Sequence, residues 1–425
     1  MLDIKFIIQN QEQVKKSITE RNLSVDLDSI IHTYEKLKSI KIDMDSKRAE
    51  ANRIAKKMSA CAEIEVIALK TMGTQLKQDL AVLKEQEDKL EFEYQESMLT
   101  IPNIFAEDTP SGKTDNENVV IKTFKSPTTF SFKPKNHLEL ATQLDLIDFD
   151  SGSKVTGGKF YFLKNEAVLL EAAIKQYAMR LVAKHGFTKL QTPDLAKTQF
   201  LQAVGFAPRG NESNTYRIAD HDLVLVATAE IPVAGLHADE IIDTKKLPLK
   251  YVADSHCFRT EAGAAGKSDR GLYRVHQFSK IEIFQLTTPD KSEAALEEIL
   301  AIEEEIYQNL ELPYRVVRIC AGDLGAPAYK KYDIEAWMPG KGDQGQYGEI
   351  TSASHCTDFQ ARRLNIRFKD QNNKSQFVHT LNGTAAALSR TPIAILENYQ
   401  NEDGSVTIPN VLKPFMGIDK IQKKQ

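Results

Sequence analysis

Long apolar runs are missing from this chain of 425 residues. The longest apolar stretch, residues 223–236, is interrupted by Glu230 and Pro232, so the sequence predicts no membrane span. The first residues include Asp3 and too short an apolar run for a signal peptide.

Cysteine is also scarce, and its spacing excludes two kinds of site. The four cysteines are scattered and show neither CxxC spacing nor a disulfide framework. This usage argues against a cysteine-rich zinc site and is typical of a reducing compartment, so we expect a cytoplasmic location. The cysteines are Cys61, Cys257, Cys320 and Cys356.

The chain lacks an excess of positive charge, since its formal net charge is −4. Any contact with nucleic acid must therefore use local basic patches. The sequence also contains no G-x-x-x-x-G-K-[ST] motif and no strand-linked G-x-G-x-x-G motif, which argues against a P-loop or Rossmann nucleotide site. The length is sufficient for two or three domains.

Two seven-residue repeats of apolar residues occupy the first 100 residues, where Gly73 is the only glycine. Because heptads bury a seam between helices, the repeats predict an antiparallel two-helix coiled coil, with its turn at residues 59–63. We expect a coiled-coil domain over residues 1–110 and a second domain over residues 111–425. The repeats are Ile30, Leu37, Met44, Ala51 and Met58, then Leu69, Leu76, Leu83 and Leu90.

Basic residues cluster on the outer half of the first of these helices. A solvated coiled coil with no ligand would explain such charges, and a basic edge that follows an RNA backbone would also explain them. The cluster consists of Lys47, Arg48, Arg53, Lys56 and Lys57.

A charged hairpin is predicted near the middle of the chain. Residues 251–258 and 273–286 have strand composition, and a glycine-rich loop with Lys267 and Arg270 separates them. Arg259 and Glu261 leave the first strand two residues apart, so both can face one pocket. A hairpin whose loop is charged only because it is solvated is the alternative.

Two further segments place polar side chains beside predicted apolar strands. Residues 223–231 read as a strand with Thr228 and Glu230 on one face. A carboxylate on such a face needs a partner, so Glu230 is a candidate site residue. Residues 377–381 read as a strand, followed by a turn at 382–384 and a helix over 389–399 that begins near Arg390.

The motifs together resemble one family. FRTEAG followed by RGLYRVHQF resembles the second signature motif of class II aminoacyl-tRNA synthetases, with its closest likeness to seryl-tRNA synthetase. EITSASHCTDFQARR resembles the metal- and ATP-binding segment of that family, and LNGTAAALSR resembles the third motif. The helix and strand of residues 166–192 resemble the first motif, which builds the dimer interface. The resemblance implies an α+β fold, an antiparallel sheet flanked by helices, with an N-terminal two-helix arm.

The resemblance also implies a reaction and its residues. A family member activates L-serine with ATP to seryl-adenylate and transfers it to the 3′ end of tRNA(Ser), with Mg²⁺ as metal. The implied catalytic residues are Arg259 and Arg390. The implied serine-binding residues are Thr228, Ala229, Glu230, Glu282 and Thr384. The implied ATP-binding residues are Arg259, Thr260, Glu261, Val275, Phe278, Glu349, Ile350, Thr351, Ser352 and Arg390, of which Glu349 and Ser352 would also hold the metal.

By the same resemblance we expect a homodimer with no membrane contact, whose arm grips tRNA. Whether tRNA(Sec) is a second substrate and which nucleotides are contacted stay open. The sequence departs from the family pattern at His355, Thr351 and Pro392. A hydrogen-bonding role for His355 is favoured over metal binding, because no spaced His or Cys partner accompanies it.

Three alternatives compete with this interpretation. A catalytically silent RNA-binding protein predicts the loss of Arg259, Glu282, Glu349 or Arg390, and all four are present. An amino-acid:carrier-protein ligase would need no tRNA-gripping arm. A class II enzyme for threonine or alanine would share the fold, but the residues at positions 228–230, 282 and 384 favour serine.

Overall fold

The computed structural model describes residues 1–59, 63–205, 214–261 and 271–423. These residues form two compact units, residues 1–102 and residues 103–425. The division predicted after residue 110 stays a prediction.

The first unit is helical. Asp3 caps the N-terminus of the first helix, because its carboxylate accepts a hydrogen bond from the backbone N–H of Lys5. The helices are α1 (Ile4–Gln9), α2 (Gln11–Glu20), α3 (Leu27–Met58) and α4 (Glu63–Met98).

Helices α3 and α4 form the predicted antiparallel hairpin. Lys47 Nζ lies 2.9 Å from Asp79 Oδ2, and the rings of Tyr34 and Tyr94 are 5.9 Å apart, so the start of one helix meets the end of the other. The heptad positions face the seam, where Leu37 and Leu76 are buried. Residues 60–62 of the predicted turn lie outside the described residues.

The second unit alternates helices with strands. Its helices are α5 (His137–Gln143), α6 (Phe149–Val155), α7 (Glu166–Lys184), α8 (Thr198–Ala203), α9 (Glu230–Gly235), α10 (Ser292–Asn309), α11 (Phe359–Leu364), α12 (Arg390–Asn398) and α13 (Lys413–Met416). The longer strands are β1 (Val119–Phe124), β4 (Thr188–Gln191), β8 (Leu249–Phe258), β9 (Gln277–Thr287), β10 (Tyr314–Arg318), β11 (Lys330–Met338), β12 (Gln346–His355) and β15 (His379–Ala387). The shorter strands are β2 (Ile147–Asp148), β3 (Phe162–Leu163), β5 (Leu195–Ala196), β6 (Val224–Leu225), β7 (Ile241–Ile242), β13 (Arg367–Lys369), β14 (Ser375–Phe377), β16 (Val406–Thr407) and β17 (Lys420–Ile421).

An eight-stranded sheet organises this unit, in the order β1-β10-β11-β12-β15-β9-β8-β4. Its neighbouring strands are antiparallel except for β4 and β8, which are parallel. Helices α7 and α10 pack on the sheet through an apolar core that includes Leu170, Ile174 and Ile299. The predicted α+β fold, an antiparallel sheet flanked by helices, is thereby confirmed.

A second apolar core surrounds the first half of β8 and the last residues of β9. It joins Phe284 and Leu286 of β9 to residues of α8, α9 and α11, including Leu201, Ile231 and Ala361. This core fixes α9 and α11 beside the central strands.

The structure corrects three predicted elements. The strand predicted over residues 273–286 begins only at Gln277, because Gly271–Tyr273 forms a short 3-10 turn. Residues 223–231 are not one strand, because β6 ends at Leu225 and Glu230 begins α9. The turn predicted at residues 382–384 is absent, since β15 runs through these residues and pairs with β12 and β9. The predicted start of the last long helix is confirmed, with Ser389 at its N-cap and Pro392 in its first turn, where a missing N–H costs little.

In the part of the chain that the structure describes, none of the helices combines the length and apolar character that crossing a membrane requires.

Candidate active site

A pocket of about 270 Å³ opens on one face of the four neighbouring strands β11, β12, β15 and β9. The predicted residues that line it lie on β9, β12 and β15, on α9 and α12, and in the segments before α9 and between β8 and β9. They are Thr228, Glu230, Arg259, Glu261, Val275, Phe278, Glu282, Glu349, Ile350, Thr351, Ser352, Thr384 and Arg390.

Two predicted site residues lie outside the set of described side chains that line this pocket. Ala229 is fully buried directly before α9. Thr260 follows Arg259, and its backbone N–H donates to the carbonyl oxygen of Asn214 at 3.4 Å. The loop with Lys267 and Arg270 lies outside the described residues.

One end of the pocket is built around the carboxylate of Glu282. Strand pairing sets Thr384 of β15 directly opposite Glu282 of β9. Lys280, two residues earlier on the same face, forms an ion pair with Glu282, and both side chains are buried. Burial raises the pKa of Glu282, while the Lys280 ammonium and a hydrogen bond from Thr228 act in the opposite direction. This end can therefore recognise a ligand with both an ammonium group and a hydroxyl group.

Glu230 lies at the same end. Its Oε1 accepts from Gln360 Nε2 at 2.6 Å and from Asn382 Nδ2 at 3.0 Å. Two amide donors thus fix the carboxyl from one side. Burial and the neighbouring Glu282 raise the pKa of Glu230 to about 7, although the bond from Gln360 opposes them. At neutral pH the group is accordingly poised between its protonated and ionised forms.

The other end of the pocket is rich in guanidinium groups. The Arg390 guanidinium lies 4.7 Å from the centre of the Tyr273 ring, and its Nη1 lies 3.0 Å from Glu349 Oε1. Burial disfavours an ionised Glu349, but Arg390 and Lys331 outweigh burial and lower its pKa to about 2. Glu349 is therefore an anion across the neutral pH range.

Arg259 lies at the mouth of the same end. Its guanidinium is 5.4 Å from the centre of the Phe278 ring, and its Nε donates to the carbonyl oxygen of Ala227 at 3.3 Å. Glu261, two residues later, adopts a left-handed φ of 49° and pairs with Arg274 at 3.2 Å. A left-handed backbone is uncommon for a side chain of this size and marks the point where β8 gives way to the loop.

Arg259, Phe278 and Arg390 together offer two cations and an aromatic face. Guanidinium groups bind phosphate through paired N–H donors, and an aromatic ring stacks on a purine. This end of the pocket is suited to a nucleotide.

The oxygen donors at this end can accommodate a magnesium ion. Glu349 supplies an ionised carboxylate and Ser352 a hydroxyl, both at the pocket surface. Mg²⁺ prefers such hard oxygen ligands and usually combines one or two protein groups with phosphate oxygens and water. The described residues contain no group of three His, Cys, Asp or Glu side chains able to form a complete protein cage.

A buried carboxyl supports the floor of the pocket. Glu303 of α10 is fully buried, and burial raises its pKa well above the usual range. It lies against Gly383 of β15, where a Cβ atom would meet Glu303 Oε1 at 2.5 Å and Ile299 at 2.4 Å. Only glycine permits this close approach, so Gly383 allows β15 to pack closely against α10.

His355 lies away from the pocket in a cluster of rings. Its Nε2 is 3.3 Å from His379 Nδ1, and the Tyr329 ring meets it edge-on at 5.5 Å. Burial and His379 lower the pKa of His355 to about 3, so the imidazole is neutral. These contacts agree with the expected hydrogen-bonding role.

Sequence reasoning missed several side chains that line the pocket. Lys280 had a signal, because it lies two residues before Glu282 and therefore shares its strand face. Asn382 was hidden by the turn predicted at its position. The other residues missed are Tyr273, Arg274, Lys331, Ala387 and Ser389.

Comparisons with known proteins cover both units. The model of the seryl-tRNA synthetase N-terminal domain matches residues 1–105, and that of the tRNA synthetase class II core domain (G, H, P, S and T) matches residues 215–399. The serine–tRNA ligase of Treponema denticola is 49% identical over 422 residues, which cover 99% of this chain and 100% of that protein. That of Dictyoglomus thermophilum is 50% identical and covers 100% of both chains. The crystal structure of Pyrococcus horikoshii seryl-tRNA synthetase complexed with ATP superposes with a TM-score of 0.91 at 38% identity, over 100% of both chains.

Proposed function

Because this chain belongs to the seryl-tRNA synthetase family and is an ATP-dependent serine–tRNA ligase, we propose that the pocket described above performs both steps of the ligase reaction. One observation carries the proposal: the side chains suited to serine and those suited to a nucleotide line a single pocket.

In the first step a serine carboxylate oxygen attacks the α-phosphorus of ATP, and the bond to the bridging oxygen of the β-phosphate breaks. The products are seryl-adenylate and pyrophosphate. The nucleophile is already ionised at neutral pH, so this step needs positioning and charge neutralisation rather than a general base. Arg259 neutralises the α-phosphate and Arg390 the γ-phosphate, while Phe278 stacks on adenine. The backbone of Glu261 and Val275 reads the edge of the base.

Glu349 and Ser352 are the residues that would hold Mg²⁺. When bound, the metal would neutralise charge on the phosphate oxygens. Glu349 is prepared for this role because neighbouring cations keep it ionised.

Serine is selected at the other end of the pocket. Glu282 receives the ammonium group, and Glu230 with Thr384 binds the hydroxyl. Thr228 holds Glu282 in place through its hydrogen bond. A site that must bond a hydroxyl rejects the analogue without it by roughly 10⁴-fold, because its own polar groups would stay unpaired.

In the second step the terminal hydroxyl of tRNA attacks the carbonyl carbon of seryl-adenylate, and AMP leaves. The proposed RNA partner is tRNA(Ser), gripped by the basic cluster on α3. Arg48, Arg53, Lys56 and Lys57 of this cluster are exposed, whereas Lys47 is half-buried and bound to Asp79. Charging assays with tRNA(Ser) and with tRNA(Sec) decide whether tRNA(Sec) is a second substrate.

The cytoplasmic location stays a prediction of the sequence.

ATP–pyrophosphate exchange tests the amino-acid specificity. We expect exchange with serine and a rate lower by roughly 10⁴-fold with alanine. Exchange with threonine tests the size of the pocket, because threonine carries an additional methyl group. Exchange with cysteine tests whether the pocket requires a hydroxyl oxygen, because cysteine carries a thiol instead. Exchange that is absent with every amino acid would contradict the proposed site, and faster exchange with threonine than with serine would contradict the assigned specificity.

The proposed assembly is a homodimer that uses the face around the start of α7. Aliphatic and aromatic side chains are exposed there, at 51% for Val168, 46% for Leu169 and 46% for Phe162. Neighbouring exposed apolar side chains are typical of protein interfaces.

Light scattering tests this assembly. We expect the molar mass of a dimer for the wild type and that of a monomer for V168E/L169E, because two carboxylates would lose solvation at the interface. I42E, at a 63% exposed apolar position of α3, is the matched control and should stay dimeric. A wild-type monomer at micromolar concentration, or a dimeric double variant, would contradict the proposed interface.

A further inference from the structure

Lys331 is a cation at the nucleotide end of the pocket to which the sequence assigns no role. It belongs to β11, and its side chain lines the pocket together with Glu349 and Ser352 of β12. The preceding lysine, Lys330, lies on the opposite face of the strand, where its Nζ is 3.3 Å from Glu293 Oε2. The alternation of the strand therefore directs only one of two adjacent lysines into the site.

Asp333 fixes the position of Lys331. Lys331 Nζ lies 3.3 Å from Asp333 Oδ1, and both residues lie on the same face of β11. Strand pairing sets Asp333 opposite Ser352, and the two side chains share a hydrogen bond. One buried carboxyl thus contacts both the lysine and the serine proposed as a metal ligand.

Lys331 remains charged in this environment. Burial disfavours the ammonium form, but Asp333 and Glu349 outweigh burial and raise its pKa above the usual value. The side chain retains about 20% exposure, so its head can reach a ligand in the pocket. Its Nζ has three donors, of which an ion pair with one carboxylate occupies only part.

Two other cations at this end already pair with carboxylates. Arg390 pairs with Glu349, and Arg274 pairs with Glu261. A bound triphosphate adds several negative charges beside Glu349, and a cation that lines the same pocket would attract them in addition to the metal. Lys331 is placed for this, because its side chain lines the same pocket as Glu349 on the neighbouring strand.

We propose that Lys331 binds the phosphate chain of ATP and of the product pyrophosphate, and that Asp333 is the positioning residue that holds Lys331 and Ser352 together. A lysine acts on phosphate as a compact point charge, which complements the planar guanidinium groups of Arg259 and Arg390. The proposal rests on the ATP site proposed above and adds a residue to it.

The first test is the exchange kinetics of K331M at saturating Mg²⁺. We expect the KM values for ATP and for pyrophosphate to rise by roughly tenfold to a hundredfold, because a charge-assisted contact is lost. The KM for serine should change by less than about twofold, since Lys331 lies at the other end of the pocket. K331R should recover most of the loss. K330M removes an equal charge from the opposite face of β11 and should leave all three constants unchanged.

A binding measurement separates affinity from turnover. Calorimetric titration with an ATP analogue that carries a methylene between its α- and β-phosphates should show the same loss for K331M. D333N should show a smaller loss, because asparagine can still bond Ser352 but no longer anchors the ammonium by charge. K331M/D333N removes both members of the buried pair and keeps the test informative if the single variant unfolds.

The outcomes distinguish this inference from the proposed function. Wild-type protein without serine-dependent exchange contradicts the proposed function, whatever Lys331 does. Wild-type exchange combined with unchanged KM values and unchanged analogue binding in both K331M and K331M/D333N overturns the inference alone. Lys331 would then be only the neutralising partner of Asp333.

Discussion

Arg259→Ala is expected to lower the rate of serine-dependent ATP–pyrophosphate exchange by roughly 10²- to 10³-fold. The Arg259 guanidinium lies at the mouth of the pocket beside the Phe278 ring, where it would neutralise charge that develops on the α-phosphate. A donor that acts mainly on the transition state affects kcat more strongly than KM. The measurement is the dependence of exchange on ATP and on serine, each at saturating co-substrate.

A matched control removes an arginine elsewhere on the same sheet. Arg315 of β10 stacks on Tyr347 at 4.7 Å and pairs with Glu335. R315A should therefore reduce stability modestly and leave the exchange rate unchanged. Full exchange activity in a folded R259A variant, judged by an unaltered thermal unfolding transition, would be incompatible with the assigned role.

Reversal of three charges at the outer end of α3, in the variant R53E/K56E/K57E, is expected to cut kcat/KM for tRNA charging by roughly 10²-fold or more. All three side chains are exposed, so their replacement leaves the apolar seam intact. Exchange activity should be unchanged, because activation needs no RNA. The salt dependence of charging should also weaken, by about one unit of log–log slope for each lost phosphate contact.

The control for this variant changes the net charge by the same amount in the second unit. Lys245, Lys369 and Lys374 are all exposed, and K245E/K369E/K374E should charge tRNA normally. If both triple variants lose charging equally, net charge rather than the cluster on α3 governs RNA binding. If neither loses it, the basic cluster has no part in recognition.

Elements whose apolar residues recur at a regular spacing could be predicted from the sequence. The two helices of the arm could be predicted from the seven-residue spacing of their apolar residues alone, and the helix and strand predicted within residues 166–192 are α7 and β4. In each case a local pattern determines which face is buried.

Elements whose conformation depends on tertiary neighbours could not be predicted. Glu230 was placed on a strand because apolar residues surround it, but α9 forms there by packing against the second core. Asn382-Gly383 looked like a turn, yet β9 and β12 on either side hold it extended. Tertiary context outweighed turn propensity at these positions.

The residues of the candidate site divide in the same way. Arg259, Glu349 and Arg390 lie in motifs that the sequence displays directly, and all three line the pocket. Lys331 and Asp333 belong to no such motif. Only the pairing of β11 with β12 brings them to Ser352, and this pairing joins residues about 20 positions apart.

The length of the hairpin of α3 and α4 can be changed in defined steps. Because its seam repeats every seven residues, removal of one heptad from each helix shortens the arm by about 10 Å and leaves the remaining seam in phase. The two deleted segments must face each other, and the pair of Lys47 with Asp79 shows which positions do so. A series of chains shortened in such steps would separate arm length from arm stability, and the step at which RNA charging stops would measure the distance the arm has to reach.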